Sequence, residues 1–329
     1  MIEYLLEVSN RFIDSHTKFD SYYVSPQRLA VVPLIAQCVR KGVPSPTMIA
    51  KYANMTMDAK LVITEPTTVL ALTEDYLSYP GIYSIDQTRA WRKITEAVHK
   101  KGKKIFLQLW HCGLTNRPSS LDKNLTIMPK ATVAGEVRLS EEKVPLPIPN
   151  PHTFKTNVIP KIVKQFRNGA QNALAAEFDG VEIHTAFGGL NDWFLKDISN
   201  QPTENLAEDL ENRTELIVAV LENVASIWDE ERVGIKISPS KQFLGSLDPD
   251  PEGTFYHVLN ILNYYNLAYL HFVDTNKENL LINESYSSFP RLFHNACRNP
   301  MMLNIEKNLE ASISTTGSKP DLISRCVWF

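Results

Sequence analysis

Short runs of β-branched and apolar residues recur along the chain, separated by longer stretches in which apolar residues return every three or four positions. The runs are Leu29–Val32, Lys60–Thr64, Lys104–Leu109, Gly180–His184, Val233–Ile237, Ala268–Val273, Pro300–Leu303 and Asp321–Ser324. A strand covered on both faces has no polar side to show, so it reads as a continuous apolar run instead of an alternation. The segments between read as amphipathic helices: Ile162, Phe166, Ala170 and Ala173 share one face of the first, and Leu216, Val220 and Val224 share one face of the second. Strands alternating with helices pair in parallel through right-handed crossovers. The pattern predicts an α/β fold, a (β/α)8 TIM barrel formed by a single domain over residues 24–329, with its site at the C-terminal ends of the strands.

The two ends of the pattern differ from a regular barrel. Residues 1–23 carry a helical stripe (Leu5, Val8, Phe12, with Leu6 and Ile13 alongside) that is expected to cover the barrel flank or to meet a second subunit in a homodimer. After the eighth run only Arg325–Phe329 remain, so the final helix outside strand 8 is expected to be missing. The proline-rich run Val144–Pro151 reads as an extended loop at the edge of the mouth.

Charge and composition narrow the function. Among 329 residues, 34 basic and 37 acidic side chains are well mixed and give a net charge of -3, which argues against nucleic-acid partners. No run approaches the roughly 20 apolar residues a membrane span needs, and Glu3 and Glu7 stand where a leader would be basic, so a cytoplasmic protein with no membrane partner is expected. The four cysteines (Cys38, Cys112, Cys297, Cys326) form no close pair, and Asp248–Glu252 is a proline-broken turn; no metal site is expected.

Several motifs carry a more specific signal. Asp179–Leu195, Gln108–Gly113, Pro80–Ser84, Glu211–Arg213 and Val233–Pro239 together resemble the old yellow enzyme (NADH:flavin oxidoreductase) family, in particular its fungal secondary-metabolism branch. The resemblance implies a barrel that binds FMN, takes a hydride from a nicotinamide, and passes it to the β-carbon of an α,β-unsaturated carbonyl. It places His184 at the first carbonyl-binding position and Gln108 on the flavin pyrimidine ring. Lys236 falls at the flavin N1/O2 edge, and Pro33 and Leu34 lie beside the isoalloxazine. Tyr76, Trp110 and His111 become parts of the substrate pocket. A charged residue inside an apolar strand is costly unless it serves a site, which independently favours a role for Lys236. Glu182 is expected to turn away from His184, toward a basic group on the helix side.

The same resemblance exposes departures. Phe187 occupies the family's second carbonyl-binding position, and Gly189 occupies that of the proton-donating tyrosine. The phosphate-binding pairs after strands 7 and 8 read Ile305-Glu306 and Cys326-Val327. Each lost charged contact costs about 1.5–3 kcal/mol, and about 1.4 kcal/mol is tenfold in affinity, so two or three losses imply at least a hundredfold weaker FMN binding.

Three readings follow. The first expects no bound cofactor: a diverged barrel protein, isomerase or cyclase in type, acting on a bulky unsaturated carbonyl compound of secondary metabolism. His184 and Lys236 would be its catalytic residues, and Tyr76, Trp110, His111, Phe187 and Trp193 its pocket. The second is an FMN-dependent NAD(P)H ene-reductase with a weakened flavin site, protonating its product from solvent. The third is a pseudoenzyme that binds a ligand without turnover.

Overall fold

A computed structural model describes residues 29–34, 39–55, 59–71, 79–111, 159–186, 189–195, 210–239, 250–273, 296–304 and 322–328, with short extended pairs at 127–128, 136–137, 146–147, 152–153, 242–243 and 246–247. The expected N-terminal helix, Tyr76, Cys112, Phe187 and Glu306 lie outside the described residues.

The apolar runs become the strands β1 (Leu29–Leu34), β2 (Leu61–Ile63), β3 (Lys104–Trp110), β4 (Gly180–Thr185), β5 (Val233–Ile237), β6 (Tyr269–Phe272), β7 (Met301–Asn304) and β8 (Leu322–Trp328). They pair in parallel in the order β4-β5-β6-β7-β8-β1-β2-β3, and β3 pairs with β4 to close the ring. The closing ladder between β1 and β8 runs from Leu29 opposite Ile323 to Leu34 opposite Trp328. Residues Arg325–Trp328, read from sequence as a remainder after the last strand, are thus part of β8 itself.

Helices α1 (Pro46–Ala53), α2 (Ile85–His99), α3 (Ile159–Ala175), α4 (Leu190–Leu195), α5 (Leu210–Trp228) and α6 (Pro251–Leu262) lie between the strands. Their starts are chemically marked. Ser45 caps α1 ahead of Pro46, Ser84 and Gln87 form a reciprocal capping box on α2, and Asp250 caps α6 ahead of Pro251. The faces expected from spacing are buried: Ile162, Phe166, Ala170 and Ala173 of α3, and Leu216, Val220 and Val224 of α5. Among the described residues no helix is long and apolar enough to cross a membrane.

The core has two shells. Outward-facing strand residues such as Val31, Val62, Ile105, Leu107, Leu109, Val181, Ile183, Ile235 and Leu270 pack under the helices. Ala30, Val32, Leu61, Ile63, Phe106, Tyr269 and Met302 fill the barrel interior. The rings of Phe106 and Tyr269 stack with centroids 5.9 Å apart. Two neighbouring strands give up their side chains to admit them: a Cβ on Gly180 would sit 2.4 Å from the Phe106 ring, and one on Gly234 2.4 Å from the Tyr269 ring. This aromatic layer floors the barrel.

One carboxylate ties the base of the ring together. Asp179 accepts from His99 Nε2 at 2.7 Å, Lys104 Nζ at 2.7 Å and the Ile105 amide at 2.9 Å, while Arg232 Nε donates to the Asp179 carbonyl at 2.8 Å. These contacts register the start of β4 against β3 and β5.

Candidate functional site

Strand alternation places every second residue inside the barrel. Above the aromatic floor the inward positions turn polar: Gln108 on β3, Glu182 and His184 on β4, Lys236 on β5, His271 on β6 and Ser324 on β8. All are buried. Register aligns them around the ring, with Gln108 opposite Glu182, His184 opposite Lys236, and Lys236 opposite His271.

A continuous hydrogen-bond array joins four of these. Gln108 Nε2 donates to Glu182 Oε1 at 2.7 Å; Glu182 Oε2 lies 2.9 Å from His271 Nδ1; and His271 Nε2 lies 2.6 Å from Ser324 Oγ. Burial by itself would raise the Glu182 carboxyl, but His271 and Lys236 outweigh it and hold the group below the usual carboxylate range. Glu182 is therefore an anion. His271 is pulled below the ordinary imidazole range by burial, against the opposing pull of Glu182, and is neutral.

His184 sits one layer higher, toward the mouth. Burial first, then the nearby Lys236 charge, push its imidazole well below its ordinary range, so it too is neutral. It meets Trp110 edge-on at 6.4 Å, and Tyr79 lies over Trp110 at 5.0 Å. Trp110 is held by a rim strand in which Thr67 and Thr68 pair with Leu109 and Trp110, and by the Val69 amide donating to the Trp110 carbonyl at 3.0 Å. Gly189 adjoins the same ring, since a Cβ there would lie 3.2 Å from the indole nitrogen.

Two sequence expectations change. Glu182 and His184 are two residues apart on one strand and so share a face; Glu182 bonds Gln108 and His271 inside the barrel, and among the described residues it has no helix-side partner of the kind expected. His111, expected in the pocket, has the opposite parity from Gln108 and Trp110. Its ring stacks on Phe166 of α3 at 6.4 Å, and burial depresses it from 6.5 to about 4, with the Gln165 side chain opposing.

The other candidates are placed only through their backbones. Pro33 and Leu34 lie on β1 opposite Val327 and Trp328, and Trp193 lies in α4; their side chains, like Tyr76 and Phe187, are outside the described residues. The sequence reading passed over Tyr79, His271 and Ser324. The signal for the last two was present: each is a polar residue at an inward position of an otherwise apolar run.

Comparison with known proteins agrees with this barrel. Residues 26–302 match the NADH:flavin oxidoreductase / NADH oxidase family. 12-Oxophytodienoate reductase 2 of Arabidopsis thaliana is 34% identical over 257 residues, covering 75% of this chain and 66% of that protein. A probable flavin mononucleotide-dependent alkene reductase of Leishmania infantum is 34% identical over 235 residues, covering 69% of this chain and 64% of its own length. The chain thus spans about two thirds of the length of these relatives. Among solved structures, morphinone reductase in complex with tetrahydroNAD superposes with a TM-score of 0.77 at 28% identity, covering 92% of this chain and 83% of that one.

These findings overturn the expectation of a protein without a cofactor. The departures at Phe187, Gly189 and the phosphate loops weighed most in that expectation, yet the matched family is one of flavin oxidoreductases and a relative is described as flavin mononucleotide-dependent. The isomerase or cyclase reading finds no support in them either.

Proposed function

Because the chain belongs to the NADH:flavin oxidoreductase / NADH oxidase family, we propose that it is an FMN-dependent reductase of α,β-unsaturated carbonyl compounds. One observation carries the reading. Gln108 Oε1 is buried and has no hydrogen-bond partner among the described residues, whereas the amide nitrogen of the same side chain is satisfied by Glu182. A buried acceptor left unmet costs about 1–3 kcal/mol, so the position is suited to a ligand that brings a donor. The imide N3–H of a flavin is such a donor, and the residues present fit the pyrimidine edge of FMN.

Bound there, FMN would supply the hydride that the carbonyl compound accepts at its β-carbon. Gln108 would hold the pyrimidine edge, and Lys236 would bring positive charge to the same side of the mouth. His184, neutral and at the strand end, would donate an N–H to the substrate carbonyl and stabilise the enolate oxygen as charge develops on it. Gly189 leaves no acidic side chain at the family's tyrosine position, so the α-carbon takes its proton from water. Trp110 and Tyr79 offer an aromatic wall suited to a bulky apolar substrate.

The test is direct. Purified protein, or protein mixed with FMN, is expected to show flavin absorbance that survives gel filtration and to oxidise NADH or NADPH when given a cyclic enone. Protein that neither retains nor quenches FMN and leaves the nicotinamide unoxidised would remove this reading.

A further inference from the structure

The array behind Gln108 has a direction, and that direction follows from a single charge. An ionised carboxylate only accepts hydrogen bonds, so Gln108 and His271, which bond Glu182 within a cluster that Lys236 and Tyr269 complete, must donate to it. Gln108 therefore turns its NH2 toward Glu182 Oε1, at 2.7 Å, and its carbonyl oxygen away. His271 must carry its proton on Nδ1 to reach Glu182 Oε2, at 2.9 Å. Being neutral, the ring then has a bare Nε2, which accepts from the Ser324 hydroxyl at 2.6 Å. Ser324 has one proton to give, and the alternative acceptor, the Leu303 carbonyl, is farther away at 3.4 Å. The imidazole and the amide both donate to one carboxylate, with the hydroxyl behind the imidazole, and what remains at the Gln108 end is an acceptor.

We propose that Glu182, anchored through His271 to Ser324 on the closing strand, is a positioning residue that locks the Gln108 amide in one of its two orientations, so that the site accepts a hydrogen bond from its ligand and selects for a ring N–H. Without the carboxylate, either end of the amide fits the same shape. The inference rests on the flavin reading for the identity of the ligand, but the orientation itself is a property of the ligand-free protein.

Two measurements separate these parts. In flavin-free protein, with resonances assigned through Gln108→Glu, the Gln108 side-chain amide should show one proton shifted downfield by the carboxylate and protected from exchange. An amide pair with the shifts and exchange of a solvent-exposed glutamine would overturn the lock whether or not FMN binds. Binding is then compared, by fluorescence quenching, for FMN and for N3-methyl-FMN, which lacks the ring donor. The wild type should prefer FMN at least tenfold. In Glu182→Gln, residue 182 gains an NH2 able to donate to Gln108 Oε1 and turn the amide round, and the preference should fall below threefold. Glu182→Asp keeps the charge and should keep the preference. Equal discrimination by wild type and Glu182→Gln would overturn the proposal, as would a wild type that binds both flavins equally. A wild type with the shifted, protected amide but affinity for neither flavin would uphold the lock and remove the flavin reading alone.

Discussion

At the scale of single residues, the polar groups of the barrel differ by layer. Burial, and then the Lys236 charge, oppose protonation of His184, and in the proposed reading its imidazole would serve the substrate carbonyl as a hydrogen-bond donor. Replacing one donor to a developing oxyanion costs about 10²–10³ in rate, and His184→Ala should lower kcat/KM for an enone by that factor while flavin absorbance is retained. His111 makes a different prediction. Burial pushes its imidazole from the ordinary 6.5 down to about 4 in the folded protein. A depressed imidazole leaves stability intact above the unfolded value, and that stability is lost as pH falls toward the folded one. One such group removes on the order of 3 kcal/mol across the window. His184 and His271 shift in the same direction and add to the loss. His111→Phe should therefore flatten urea-unfolding stability between pH 6.5 and 4 relative to wild type, keeping the stack on Phe166.

Among elements, the strands were the most legible part of the sequence, because a strand buried on both faces must be apolar whatever its neighbours are. Helix faces were legible for the same reason: Ile162, Phe166 and Ala170 follow a period that packing requires. Parity within strands was harder to read. The family resemblance implies a pocket place for both Trp110 and His111, although adjacent strand residues face opposite ways and His111 stacks on Phe166. Glu182 shares the inward face with His184 because they stand two positions apart. Nor could one sequence reveal that Gln108, Glu182, His271 and Ser324 meet, since they come from four strands and their contact exists only through ring closure. The interior glycines give the test at this scale. Gly234→Ala would drive a Cβ to 2.4 Å from the Tyr269 ring, and such overpacking costs about 1–3 kcal/mol, measurable as a lower urea midpoint. Shortening the ring with Tyr269→Leu in the same chain should recover part of it.

For the molecule as a whole, binding of the proposed cofactor would be linked to fold stability, because a ligand that binds only the folded ring stabilises it. At a concentration of FMN about a hundred times its Kd, the folded state should gain about 2.7 kcal/mol, read as a rise in Tm that saturates with FMN and is smaller in Gln108→Ala. The family was legible through its motifs, whereas the altered positions at Phe187, Gly189, Ile305 and Glu306 point away from a bound cofactor, an expectation that the family match overturns. The ladder joining Leu29–Leu34 to Leu322–Trp328 also carries a consequence in time. At synthesis rates of about 5–20 residues per second, the first strand emerges tens of seconds before its last neighbour exists. During that interval one edge of the growing sheet stays open to foreign strands, so yield in a cell should rise when translation of the later portion is hastened or a chaperone shields the nascent chain.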